Sequence, residues 1–189
     1  MDSQRSGLAN GGGSSSARVS TMSNGHRVVH FPLSRSCALK IQKGDITQWS
    51  VDGSSDAIVN PANQRMLGGA GTDGAIHRAA GKELRAACYD VEEVERGIRC
   101  PTGEARITQG FNLPASHVIH TVGPIYDVDP NPEASLRSAY RYPLDEAATI
   151  AISTVRELAN DFKEVNFVHL TDEAYNVWLD KANELLRDQ

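Results

Sequence analysis

Asp56-Ala57-Ile58-Val59-Asn60-Pro61-Ala62-Asn63-Gln64-Arg65-Met66-Leu67-Gly68-Gly69-Ala70-Gly71-Thr72-Asp73-Gly74-Ala75-Ile76-His77-Arg78-Ala79-Ala80-Gly81 is the stretch that decides how this chain of 189 residues is read. A short apolar strand runs into two asparagines, then into a glycine-rich loop carrying one acid, then into small residues that favour a helix. Glycine lets the backbone turn so that successive N–H groups converge, and the following helix adds the positive end of its dipole. Both attract phosphate, so the loop reads as a diphosphate cradle. Asn60, Asn63 and Asp73 fall at the carboxyl end of the strand, where an open α/β sheet keeps its ligand crevice. Amide side chains suit ribose hydroxyls there, because each can donate and accept.

The run from Val59 to Gly81 is similar to the first ligand loop of the macrodomain family, and most to its MacroD-type ADP-ribosyl hydrolases. The similarity continues through Lys43-Gly44-Asp45-Ile46-Thr47 before the loop. After it come Cys100-Pro101-Thr102-Gly103-Glu104-Ala105 and His120-Thr121-Val122-Gly123-Pro124. It covers the chain from about Ala38 to the C-terminus.

That resemblance implies a three-layer α/β/α fold around a mostly parallel sheet. It also implies a ligand, ADP-ribose, O-acetyl-ADP-ribose or an ADP-ribosylated protein, and hydrolysis of the ester bond without metal or cofactor. By position, Asp45 would accept from the adenine amino group and the backbone of Ile46 would serve a ring nitrogen. Asn60 and Asn63 would hold the distal ribose. Gly68, Gly69, Gly71, Thr72, Gly74, Ala75 and Ile76 would line the phosphates. Asp73 would orient or deprotonate the attacking water, with Asn63 and His77 completing the catalytic group. The residues alone leave plainer readings open: Asp45 as a turn cap, the asparagines as caps of their own loop, Asp73 as a helix N-terminal acid, and His77 as a packed core histidine. His117 and His120 receive no catalytic role.

The match has departures. Ala70 replaces a frequent glycine, and Thr72 an apolar residue. Leu170-Thr171-Asp172 stands where many family members place an aromatic that stacks on adenine. Stacking would weaken and Asp45 would carry more of adenine recognition.

Composition fits one domain: 40% of residues are hydrophobic and 23% charged. A net charge of −5 favours neither nucleic acid nor an anionic membrane, and no apolar run approaches the about 20 residues of a membrane span. A monomer in the cytoplasm or nucleus is expected. Cys37, Cys88 and Cys100 are few, odd in number and widely spaced, which suits a reducing compartment, and neither they nor the histidines show metal-ligand spacing. Residues 1–30 are rich in Ser, Gly and Asn and read as a disordered tail before a domain of 31–189. Arg5, Arg18 and Arg27 among serines make a weak organellar-targeting pattern.

Strand patterns occupy Ala38–Gln42, Ala57–Val59, Ala105–Thr108, His117–Val122 and Val165–Leu170. Helical patterns occupy Ala75–Tyr89, Ser135–Arg141, Leu144–Asn160 and Thr171–Arg187. The alternation breaks at Arg141–Tyr142, where helix follows helix although a parallel arrangement needs a strand between them. Family members carry there an apolar central strand and a second glycine-aromatic ligand loop, so about 25 residues are expected to be missing, the size of one strand with its connections. Such a chain would hydrolyse its ligand, read ADP-ribose without turnover, or be a truncated form with impaired binding. Gly69-Ala70-Gly71-Thr72-Asp73-Gly74 also satisfies the dinucleotide fingerprint G-x-G-x-x-G. Pro61 to Leu67 separate it from its strand, however, and no strand-ending acid follows about 20 residues on.

Overall fold

The computed structural model describes residues 18–21, 27–54, 56–123 and 144–186. Strands β1 (Arg18–Thr21), β2 (Arg27–Pro32), β3 (Ala38–Lys43) and β7 (Glu164–His169) form one sheet in the order β1-β2-β3-β7. Strands β4 (Ala57–Pro61), β6 (His117–Thr121) and β5 (Ala105–Gln109) form a second in the order β4-β6-β5. The pairs β3–β7 and β4–β6 are parallel, whereas β1–β2, β2–β3 and β5–β6 are antiparallel. The fold is thus α/β, and each sheet holds one parallel pair beside its antiparallel ones. The expected helix at Ser135–Arg141 and the Arg141–Tyr142 junction lie outside the described residues.

Each sheet buries one face under two helices. Helices α3 (Leu144–Glu157) and α4 (Asp172–Leu186) cover the first. Ala147, Ala148, Ala151 and Ile152 of α3 are buried together with Tyr175, Trp178, Ala182 and Leu186 of α4, the stripe that a period of 3.6 produces. They pack on Phe31, Leu39 and Ile41. The second sheet packs Ile58 and Val118 against Ile76, Ala80, Leu84 and Cys88 of α1 (Gly71–Ala80) and α2 (Lys82–Asp90).

Two boundaries differ from expectation. The sheet begins before residue 31: β2 pairs along β3, and Val28, Val29 and Phe31 are buried, so the apolar Val28-Val29 pair belongs to the core and not to a tail. The helix expected at Ala75–Tyr89 starts earlier and is broken at Gly81, whose φ of 90° suits glycine and ends one helix before the next begins. A Cβ there would also lie 2.6 Å from Asn112 Nδ2.

No helix among the described residues is long and apolar enough to cross a membrane.

Candidate active site

The site begins with strand alternation. In β4 and β6, which run side by side with Asn60 opposite His120, Ile58 and Asn60 face inward together with Val118 and His120, and all four are at most 1% exposed. The face is therefore apolar at one end and polar at the end where the strands finish. Buried Thr108 of β5 adds a hydroxyl to that polar end. Helix α1 crosses this face with Asp73, Ile76 and Ala80 buried at helical spacing.

Four side chains meet there. Asn60 Nδ2 donates to Asp73 Oδ1 at 2.8 Å and lies 3.1 Å from His120 Nδ1. Thr108 Oγ1 lies 2.9 Å from His120 Nε2. Because the Asp73 carboxylate accepts, the Asn60 atom facing it is the amide nitrogen; the same NH2 faces His120 Nδ1, which must then accept. His120 is the Nε2–H tautomer and donates to Thr108. Burial pushes the His120 pKa down to about 4, with His77 adding to the effect, so the ring stays neutral.

His77 sits one turn beyond Asp73, with Nε2 3.5 Å from Asp73 Oδ1. Burial lowers its pKa; Asp73 opposes that shift and Arg85 adds to it. His77 Nε2 and Asn60 Oδ1 are buried and have no hydrogen-bond partner among the described residues, a rare state for interior polar atoms and an opening for a ligand hydroxyl or a water. Asn60 has thus turned its donors inward, and towards a ribose it could only accept.

The glycine loop forms the other wall. A Cβ built on Gly69 would lie 3.1 Å from Asp73 Oδ2 and 3.5 Å from Asn63 Nδ2, so the carboxylate and the amide converge on this bare backbone. A Cβ on Gly74 would stand 2.2 Å from the carbonyl oxygen of Gly69, which fixes glycine at that position. Helix α1 starts at Gly71, so the amides of Gly71, Thr72 and Asp73 lack intrahelical acceptors and point out of its N-terminus. The amides of Ala75 and Ile76 belong to the helical ladder, and the Ile76 side chain is fully buried in the core. The amides without an intrahelical acceptor lie at Gly71 to Asp73.

Asn63 is exposed and caps its own loop: Oδ1 accepts from the Arg65 amide and Nδ2 donates to the Gly68 carbonyl. Asp45 is exposed and caps the 3-10 turn at Ile46–Gln48, its Oδ1 accepting from the Thr47 amide at 2.9 Å and the Thr47 hydroxyl at 2.8 Å. For both, the plainer local role is filled in the structure.

Three residues not assigned from the sequence join the site. His120 orders Asn60, Thr108 orders His120, and Cys88 Sγ lies 3.8 Å from His120 Nε2. The period-two pattern of β6 could have marked His120 as inward-facing, but its partners are 12 to 60 residues away in sequence. His77, Cys88 and His120 place one ligand-type atom each within 4.8 Å of one another. The lone pair of His120 Nδ1 is engaged by Asn60 and its Nε2 proton by Thr108. Burial holds the Cys88 thiol up at about 11, with Asp73 adding to the shift and Arg99 opposing it. In this structure His120 is held by hydrogen bonds to Asn60 and Thr108, with Cys88 packed beside it.

A polar end of a parallel strand pair, a buried carboxylate in the first turn of a helix and a bare glycine wall define a ligand-binding α/β domain of phosphate-cradle type. A family model described as the macro domain matches residues 59–186, and the chain belongs to the macro domain family. A macro domain-containing protein of Vibrio parahaemolyticus is 42% identical over 166 residues, covering 75% of this chain and 95% of its own length. The ADP-ribose glycohydrolase MACROD2 of Xenopus laevis is 37% identical over 173 residues, covering 75% of this chain and 39% of its own. Among solved structures, the Oceanobacillus iheyensis macrodomain with ADP superposes with a TM-score of 0.77 at 33% identity, covering 87% of this chain and 99% of that one. The 166 positions aligned with the Vibrio protein fall on about 142 of this chain's 189 residues, so about 24 aligned positions have no residue here.

Proposed function

We propose that this chain binds ADP-ribose in the crevice between β4 and the Gly68–Gly74 loop, and that it hydrolyses the ester bond of ADP-ribosylated acidic side chains or of O-acetyl-ADP-ribose. The observation that carries the reading is Asp73: a carboxylate only 5% exposed, held through Oδ1 by Asn60 and turned through Oδ2 towards the bare backbone of Gly69. A water against Oδ2 would give its proton to Asp73 as its oxygen attacks the ester. The electron pair of the breaking C–O bond leaves with the departing oxygen. The amides of Gly71 to Asp73 would meet the phosphates. Likeness to a glycohydrolase and to macrodomains with ADP or ADP-ribose supports the ligand class. ADP-ribosylated proteins are the partners this implies. Three buried free cysteines suit a reducing cytoplasm or nucleus.

Asp73→Asn keeps the shape and the Asn60 contact while removing the base. It should abolish release of ADP-ribose from an ester-linked peptide and leave ADP-ribose affinity within about tenfold, since the lost interaction belongs to the transition state. Undiminished release would remove Asp73 from catalysis.

A second reading, a reader without turnover, is favoured by one observation. Among the described strands β4 pairs only with β6 and β7 only with β3, so each ends its sheet with one side unpaired there. The about 24 unmatched alignment positions are the size of a strand and its loop. Catalysis needs tighter placement of ribose and water than binding does.

A further inference from the structure

The cleft where the two helices beside the cradle meet gathers cations in an otherwise acidic chain. In a chain of net charge −5, Arg78, Lys82 and Arg85 line one open cleft of about 590 Å³ with Leu67, Gly69 and His77. Among the described residues no carboxylate lines it. Several cations elsewhere are paired: Arg99 with Glu93, Arg106 with Glu104, Lys43 with Asp172. None of the cleft's three cations has an ion pair among the described residues, and all three are exposed. Three unneutralised like charges around one concavity repel each other and concentrate field there, and an anionic occupant relieves both.

The cleft is continuous with the proposed reaction centre. Gly69 is common to both: its backbone lines the cleft, and its Cβ position is 3.1 Å from Asp73 Oδ2. A group attached to the ribose on the far side of the attacked bond would leave Asp73 in this direction. We infer that the cleft holds the polypeptide flanking the modified side chain, and that the preferred substrate is an acidic segment whose neighbouring Asp or Glu residues meet Arg78, Lys82 and Arg85. Three separate cations, on the last turn of α1 and the first turns of α2, match carboxylates on successive side chains better than a single phosphate group. Leu67 and the arginine stems provide apolar surface for backbone and methylenes. The inference rests on the hydrolase reading for its direction, but its measurement is binding.

The test uses full-length protein carrying Asp73→Asn, so that ligands survive, and two ADP-ribosylated peptides differing only in acidic or neutral flanking residues. Titration should show the acidic peptide binding about fivefold more tightly at low salt, with the advantage lost near 0.5 M salt and lost also in the additional variant Arg78→Gln/Lys82→Gln, because exposed ion pairs are modest and screened. Arg85 is left in place because its charge bears on His77. Free ADP-ribose should bind the added variant as well as its parent, which shows the fold intact. Equal affinity for the two peptides, or a preference that survives the double substitution, overturns the inference. Tighter binding of a second, linked ADP-ribose unit than of the acidic peptide would assign the cleft to phosphate and overturn it too. Turnover by the Asp73-bearing protein is measured separately: absence of product release with intact peptide discrimination would sink the hydrolase reading and leave the cleft standing.

Discussion

Asn60 and Asp73, thirteen residues apart, are joined by a 2.8 Å hydrogen bond that ties the end of a buried strand to the first turn of the helix above it. The bond places the carboxylate with respect to the sheet and not to the glycine loop. It also uses the donor that a ribose ligand would otherwise receive, so on the proposed reading Asn60 would act mainly as a support for Asp73. Asn60→Ala should therefore lower kcat on an ester substrate far more than it weakens ADP-ribose binding. It should also cost about 1–3 kcal/mol in denaturant unfolding, since both Asp73 and His120 lose a buried partner. A variant that loses affinity tenfold or more at unchanged kcat would place Asn60 on the ligand instead.

His120 makes stability depend on acid. Its folded pKa is pushed down to about 4 by burial, whereas in the unfolded chain it titrates near 6.5, so between these values the unfolded state binds more protons. The contribution is fully present above about pH 6.5 and is lost as pH falls towards 4. His169, lowered to about 4 by burial, acts in the same direction. Melting temperatures should be flat from pH 8 to 7 and fall below pH 6, and His120→Gln should make the fall shallower. An identical slope in the variant would mean that His120 is already charged in the fold.

Asp45 tests a role that the structure fills locally. Its Oδ1 is engaged by Thr47, which a serine hydroxyl could replace at the cap, while adenine recognition would need the carboxylate. Asp45→Ser should leave the melting temperature nearly unchanged and weaken ADP-ribose by about 1–3 kcal/mol in calorimetry. If affinity holds, Asp45 is a cap and nothing more.

What could be read from the sequence follows from how local each signal is. The Val59–Gly81 run specifies strand, cradle and helix through residues within a few positions of one another, and the structure keeps that order. Gly81 sits inside a continuous helical pattern, and only its φ of 90° and the proximity of Asn112 show that the helix must stop there. Val28 and Val29 were masked by their Ser- and Gly-rich surroundings; pairing with β3 brings them into the core. His120 was the least legible. A lone histidine in a strand gives no sign of its partners until β4, β5 and α1 converge on it.

The edges of β4 and β7 bear the last prediction. Each pairs on one side among the described strands, and the alignment with the Vibrio protein has about 24 positions with no residue in this chain. A strand between them would supply ladder partners to both and apolar side chains to both helix layers, each worth about 1.5–3 kcal/mol when buried. Its following loop would face the diphosphate from the side opposite Gly68–Gly74. Inserting a family-like segment of about 25 residues between Arg141 and Tyr142, an apolar strand followed by a glycine-aromatic loop, should sharpen the melting transition, suppress association through exposed edges and tighten ADP-ribose binding together. Thermal melting, light scattering and titration of the two purified proteins decide it. If the natural chain melts as sharply, stays monomeric and binds as tightly as the extended one, its two sheets are already complete and the idea of a missing strand fails.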